Sequence, residues 1–280
     1  FAGYDGIVFK GRSDKPIYLS VQDDFVELRD ARLFWGKGII ETRETLKREY
    51  GESVKVMAIG QAGENLIVSA NIMGDGDASG AGGFGAVMGS KNLKAIVVKG
   101  SSRKMRAADP ERLRQLTSYI RQATNERRLS LIMIGNRGVS KSPAGPSPDR
   151  VNELGPNLKK SVCAGCSGNG CWRATYQGSD GTKVKYMCQA AFFYEELAYR
   201  YYGTRNEVPF QATRLCNDYG LDILQVSIVL GWLLQCRRDC ILTDENTGIP
   251  LSKAGSLEFI QTLTKKMALK DGFGDVLANG

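Results

Sequence analysis

Over the first hundred residues, short apolar runs recur between glycine-containing breaks, the pattern of half-buried strands separated by turns. They predict strands at 5–10, 17–21, 25–29, 54–59, 66–71 and 93–99, interrupted by one helix at 37–50. After Gly100 the character changes. Asp109-Pro110-Glu111 supplies an N-cap, a proline at the first helical position and an acidic first turn, so a helix is expected from there to about residue 128. The Gly-, Pro-, Ser- and Asn-rich stretch 135–156 is read as a loop. From Cys188 onward the pattern is helical, at 189–202, 209–217, 222–238 and 252–270, the last stopped by Gly272. No internal repeat is visible. The expected fold is α+β: a β-rich N-terminal domain, 1–105, followed by a mainly α-helical domain, 106–280, with a cysteine cluster at its entry.

Composition narrows the class. A chain of 280 residues has room for two ordinary domains, and 42% hydrophobic with 24% charged residues is the balance of a globular protein. The longest apolar stretch, 223–234, is interrupted by Gln225, Ser227 and Gly231, so it reads as a buried helix and no membrane span is expected. The chain opens on Phe1 and runs directly into a strand-like segment, as part of a longer protein would. A net charge of +8 suits an anionic partner. Its lysines and arginines are scattered, however, and a solvated basic surface outweighs nucleic-acid binding.

Histidine is absent. That excludes a Ser-His-Asp triad, a Cys-His dyad and any imidazole-dependent metal site built from this chain alone. Metal chemistry falls to seven cysteines, all in the second half, whereas a secreted disulfide framework would staple the whole of a small chain. A reducing compartment fits better.

Two motifs carry chemistry. Between Gly80 and Gly89 lie five glycines, and backbone without side chains can approach a bulky anionic ligand and aim its N–H groups at phosphates. Here the glycines precede a strand, whereas dinucleotide and P-loop fingerprints open a helix, so a Rossmann or kinase reading is disfavoured. The bland alternative is a simple turn. The second motif, Cys163-Ala-Gly-Cys166-Ser-Gly-Asn-Gly-Cys171, can bring three thiolates to one metal centre, with the fourth ligand of an iron–sulfur cluster drawn from a distant cysteine. Further along, Glu195 follows the aromatic run Phe192, Phe193, Tyr194, surroundings that raise a carboxyl toward general acid–base use; its bland reading is an exposed helix face. Cys188 stands alone, while Cys216, Cys236 and Cys240 sit at helical spacing among apolar residues and are expected in the core.

In this order, the pieces resemble the aldehyde:ferredoxin oxidoreductase family. The stretch from Gly85 to Val98, GAVMGSKNLKAIVV, is similar to the family's most characteristic segment, and Ala2-Gly3-Tyr4-Asp5-Gly6-Ile7-Val8 and Ala58-Ile59-Gly60-Gln61-Ala62-Gly63-Glu64-Asn65 resemble earlier family strands. The cysteine loop resembles the family's cluster motif with one more residue before the third cysteine. Cys216-Asn217-Asp218-Tyr219-Gly220-Leu221-Asp222 resembles its pterin-binding helix–turn.

The resemblance implies a tungsten (or molybdenum) bis-molybdopterin site, magnesium bridging the pterin phosphates, and a 4Fe-4S cluster held by Cys163, Cys166 and Cys171. Gly82, Gly83, Gly85, Gly89 and Lys91 would lie against cofactor phosphate, with Lys94 a further candidate for charge, and Asn217, Asp218, Leu221 and Asp222 would hold a pterin. The implied activity is aldehyde oxidation to carboxylate in an anaerobic cytoplasm, with electrons passing to ferredoxin or an iron–sulfur electron-transfer subunit; a homodimer is allowed.

The sequence departs from the family at Ala81, where an arginine is usual, and at Asn217, where an aspartate is. The family's opening segment and second half are missing too, and the remainder of the same polypeptide or another chain would complete the site. Tyr186-Met187-Cys188 resembles the tungsten-ligating segment of the benzoyl-CoA reductase branch, whereas Tyr194-Glu195 resembles the aldehyde-oxidising members. Catalytic candidates are therefore Glu195 and Cys188, with Cys188 also a metal ligand in the aroyl-CoA alternative. A zinc-ribbon module and a single-cluster electron-transfer subunit are the readings from other classes; the first lacks a second two-cysteine knuckle.

Overall fold

The structure is a computed structural model that describes residues 2–77, 79–101, 107–123, 158–161, 171–177, 181, 183–187 and 192–279. By internal contacts the chain forms two units, one built from Phe1–Lys104 together with Ala212–Gly280, the other from Met105–Gln211.

The first unit is organised on a six-stranded sheet. Its strands are β1 (Ile17–Gln22), β2 (Phe25–Asp30), β3 (Lys55–Ala58), β4 (Ile72–Met73), β5 (Ser79–Gly80) and β6 (Leu93–Lys99), arranged β2-β1-β6-β3-β4-β5. β1 pairs parallel with β6 and antiparallel with β2, which a tight turn at Asp23 joins to it. The helix α1 (Ile39–Tyr50) covers one face, where Ile39 and Leu46 meet Tyr18, Val56, Ala58, Ala95 and Val97. Leu19, Val21, Ile59 and Leu93 form the other face, closed by Met88 of the short helix α3 (Phe84–Ser90) and by Ala2 and Phe9. Between them, α2 (Gln61–Glu64) follows β3. This alternation of inward positions on β1 and β6 is what the period-two pattern encodes.

In the second unit, a helix α4 (110–123) begins at the predicted proline. It is followed by a three-stranded antiparallel sheet of β7 (Leu158–Ser161), β8 (Cys171–Gln177) and β9 (Lys183–Met187), and by α5 (Phe192–Tyr202). The remaining helices belong to the first unit, apart from the opening residues of α6: α6 (Val208–Tyr219), α7 (Ile223–Arg238), α8 (Asp244–Thr247), α9 (Leu257–Leu269) and α10 (Phe273–Asn279). Their caps are local chemistry: Asp222 accepts from the Leu224 amide at 2.9 Å, Ser256 accepts from Phe259, and Thr243 with Asn246 forms a reciprocal capping box.

The α+β class stands, with a β-sheet region followed by a helical one. Several predicted elements change. Residues 5–10 form no strand, and 66–71 form turns, because Leu66 adopts φ 58° and the chain folds back so that Ile67 donates to Ala62 and Ala70 to Ile67. The glycine loop opens the helix α3 before β6 begins, whereas the sequence suggested a direct entry into the strand. The sheet β7–β9 was not foreseen. Cys216 is fully buried as expected; Cys236 is half-buried and Cys240 exposed, because α7 runs out at Arg238 and Cys240 takes φ 56° in the turn beyond it.

Candidate functional site

Three of the singled-out segments come together in the first unit. The turn after α6 lies beside residues 69–71: Ala70 and Leu221 form an antiparallel bridge, Asn71 N–H donates to Gly220 O at 2.7 Å, and Asp222 N–H donates to Ser69 O at 2.9 Å. Gly220 takes φ 75°, a left-handed conformation costly for residues with a Cβ, and a methyl there would lie 3.1 Å from the Gly60 nitrogen and 3.3 Å from Asn71 O. Gly60, the N-cap of α2, is pressed in turn against the backbone of residues 218–219, its virtual Cβ 2.6 Å from Asp218 O.

The glycine-rich stretch packs onto the same backbone. Gly85 donates to Ala70 O at 3.0 Å, and a Cβ at Gly85 would lie 2.6 Å from Asn71 O. A Cβ at Gly63 would sit 2.8 Å from Gly85 O, and one at Gly89 would strike the Gly63 carbonyl. Gly85 and Gly89 are therefore glycines because α3 touches α2 and segment 70–71 backbone to backbone. Gly82 and Gly83 differ. Both take left-handed φ, 83° and 81°; a methyl at Gly82 meets nothing within 4 Å, and Gly83 is the N-cap of α3.

The acidic residues of the turn are engaged by helix termini. Asp218 Oδ1 accepts from Ile40 N–H at 2.9 Å, placing a carboxylate at the positive end of α1, whose own N-cap, Gly38, offers no side chain. Asp222 caps α7. Asn217 and Asp222 are each 8% exposed and Leu221 is fully buried. Burial pushes the Cys216 thiol and the Tyr219 phenol above their ordinary values, so both stay protonated at neutral pH.

The lysines divide. Lys91 ends α3 and donates to Gly11 O at 3.1 Å, while Lys94 is fully buried and committed to Glu64 and to Lys37 O at 2.7 Å. Lys94 is thus occupied by a carboxylate within the fold rather than offered to a phosphate. Sequence reasoning also missed Ser69 and Asn71. The Ser69 hydroxyl and Asn71 Oδ1 are buried without a hydrogen-bond partner among the described residues, an expensive state that a ligand would relieve. No motif signals them, since each is an ordinary polar residue within a run read as a strand.

Cys163, Cys166 and Cys188 lie outside the described residues, and Cys171 is placed only as the first residue of β8. Glu195 is in the first turn of α5, half-buried, beside the fully buried Tyr194.

Residues 1–100 match the model of the aldehyde ferredoxin oxidoreductase N-terminal domain, and residues 137–280 match that of domains 2 and 3 of the same enzyme. The chain belongs to the aldehyde ferredoxin oxidoreductase family. It is 32% identical to the tungsten-containing aldehyde ferredoxin oxidoreductase of Pyrococcus furiosus, a match spanning all of this chain and 49% of that protein. A second Pyrococcus furiosus relative, the aliphatic sulfonate oxidoreductase WOR-like subunit, is 30% identical over all of this chain and 50% of its own length. Among solved structures, the active site complex BamBC of benzoyl coenzyme A reductase with 1,5-dienoyl-CoA superimposes at a TM-score of 0.78 and 28% identity, over all of this chain and 46% of that one. The chain spans about half the length of the curated relatives it matches. Among the described residues, no helix is long and apolar enough to cross a membrane.

Proposed function

We propose that this chain is the cofactor-bearing part of a cytoplasmic tungsten- or molybdenum-pterin, iron–sulfur oxidoreductase that converts aldehydes to carboxylates and passes electrons to ferredoxin. The observation that carries this reading is the convergence of 60–63, 82–89 and 217–222 in one unit around the buried, unpartnered Ser69 hydroxyl and Asn71 Oδ1. Those atoms and the open backbone at Gly82 suit a donor-rich pterin with a phosphate tail, and Asn217, Asp218, Leu221 and Asp222 line the neighbouring turn. When bound, the metal–pterin supplies the two-electron change at the substrate carbon and the cluster a one-electron path outward. The chain's own contribution is to hold and orient. Cys163, Cys166 and Cys171 offer three thiolates for the cluster, magnesium would neutralise the pterin phosphates, and Glu195 on α5 would hold the proton taken from substrate water.

The likeness to the benzoyl coenzyme A reductase complex favours a second reading, aroyl-CoA reduction, with Cys188 as a metal ligand. One experiment addresses both. The complete protein, purified without oxygen, is expected to carry tungsten or molybdenum, pterin and iron, and to reduce a viologen dye with short-chain aldehydes. Turnover of benzoyl-CoA or its dienoyl product without aldehyde activity would replace the first reading by the second; zinc alone, or iron without pterin, would refute both.

A further inference from the structure

Lys94 and Glu64 are the most heavily buried ion pair among the described residues, with side chains 0% and 4% exposed. Burial pushes the Glu64 carboxyl up and the Lys94 ammonium down, while their mutual attraction opposes both shifts; the Asp218 and Glu41 carboxylates add to the field that keeps Lys94 charged. Such a pair is no bargain for stability alone, because desolvation offsets its attraction, so its geometry matters more than its existence.

That geometry is directed at one loop. Glu64 Oε2 accepts from Gly36 N–H at 2.8 Å, Lys94 Nζ donates to Lys37 O at 2.7 Å, and Gln61 Nε2 donates to Gly36 O at 2.8 Å. Three side chains from α2 and β6 thus hold three consecutive peptide groups, those flanking Gly36 and the one after Lys37. The next residues are Gly38, against which the Asp218 carboxylate packs, and Ile40, whose amide binds that carboxylate. Asp218 and Tyr219 in turn press on Gly60, one residue before Gln61. The chain of contacts closes on itself: α2 fixes the loop, the loop fixes Asp218, and the 218–222 turn rests back on the start of α2.

We propose that Lys94 and Glu64 are positioning residues that set the 218–222 turn against segment 69–71 before any ligand arrives. Their consequence for cofactor retention rests on the proposed function; the positioning itself does not. A purely structural pair would stabilise the whole sheet evenly. A positioning pair protects a few amides selectively.

Hydrogen exchange on the complete protein reads the difference. In the double variant Lys94→Met/Glu64→Gln, which removes both buried charges, exchange at the Ile40, Asn71 and Asp222 amides should accelerate about tenfold, with β1 and β6 amides changing less than about threefold. Gln61→Ala, which deletes one hydrogen bond and no buried charge, should accelerate the same amides by a smaller factor; it serves if the double variant does not fold. Pterin released from the folded double variant should fall below wild type. Unchanged protection at the three amides, or an even loss across β1 and β6, overturns the proposal. Selective loss of protection in a protein that never carried pterin would leave the clamp standing and remove the cofactor reading instead.

Discussion

Substituting Gly89 by alanine tests whether the glycines of the 82–89 stretch answer to packing. A Cβ at Gly89 would lie 2.7 Å from the Gly63 carbonyl carbon and 3.3 Å from the Glu64 nitrogen, and closer still to Gly63 O, where ordinary contact begins at 3.4 Å. Moving the carbonyl carbon alone from 2.7 Å to 3.4 Å demands 0.7 Å of separation between α2 and α3, and the oxygen requires more. Both partners are backbone, so no rotamer change can absorb the clash. Overpacking of this kind costs about 1–3 kcal/mol, and the upper end applies here. Alanine in a helix recovers about 0.5–1 kcal/mol over glycine, leaving a net loss of about 2 kcal/mol. In a unit of this size that lowers the melting temperature by about 4–8 °C. Two controls isolate the cause. At Gly82 the new methyl meets open space but must tolerate φ 83°, at about 1–2 kcal/mol. At Gly231, inside α7 with nothing within 4 Å, alanine should stabilise by about 0.5–1 kcal/mol. Thermal melts of the three variants should therefore rank Gly231→Ala above wild type and Gly89→Ala lowest. If Gly89→Ala melts with wild type, the backbone contact between α2 and α3 is not as described.

Two further outcomes follow from individual groups. Peptide-mapped alkylation of the native protein should label the exposed Cys240 readily and leave Cys216 unmodified until unfolding, since Cys216 is fully buried with its thiol pushed up; equal labelling would contradict its burial. Arg32, through side-chain and backbone hydrogen bonds, holds the Asp30 carboxyl down to about 2 from 3.8, so its share of stability is present above 3.8 and lost as pH falls through about 2. A carboxyl titration by NMR should show that low midpoint in wild type and its return toward 3.8 in Arg32→Ala.

What could be read from the sequence depended on how local the determinant is. The strands 17–21, 25–29 and 93–99 and the long helices α6, α7 and α9 were legible because their periodicity and caps are written within each element, as with Asp222 before Ile223 and Ser256 before Leu257, whereas the short helices α8 and α10 were not foreseen. Residues 66–71 were misread because a short apolar run, Leu66-Ile67-Val68, suits a strand and a folded-back turn equally well, and only the φ of Leu66 and the bridge to Leu221 decide between them. The sheet β7–β9 went unread because its strands are short and each carries charged residues, LKKS, CWRATYQ and KVKYM, with no hairpin turn signal recognised between them. Within the candidate site, several contacts of the motif residues were not legible. Asp218 and Asp222 cap helices, Lys94 pairs with Glu64, and Gly85 and Gly89 permit backbone contact, all tertiary facts invisible to spacing.

The glycine stretch and the turn at 217–222 are tied by a single requirement. Residues 69–71 receive Gly85 N–H on the Ala70 carbonyl and give Asn71 N–H to Gly220, so the glycine helix and the turn are registered by one three-residue segment. The same segment carries the two buried polar atoms left without partners, each worth about 1–3 kcal/mol of unmet hydrogen bonding. A fold that merely needed to pack would place apolar side chains at 69 and 71, as it does with Ala70 between them. Retaining Ser69 and Asn71 there leaves two buried polar atoms unmet, and on the proposed function a ligand at that crossing would meet them. On that proposal, the polar deficit and the close backbone contacts around it are two aspects of one preorganised site.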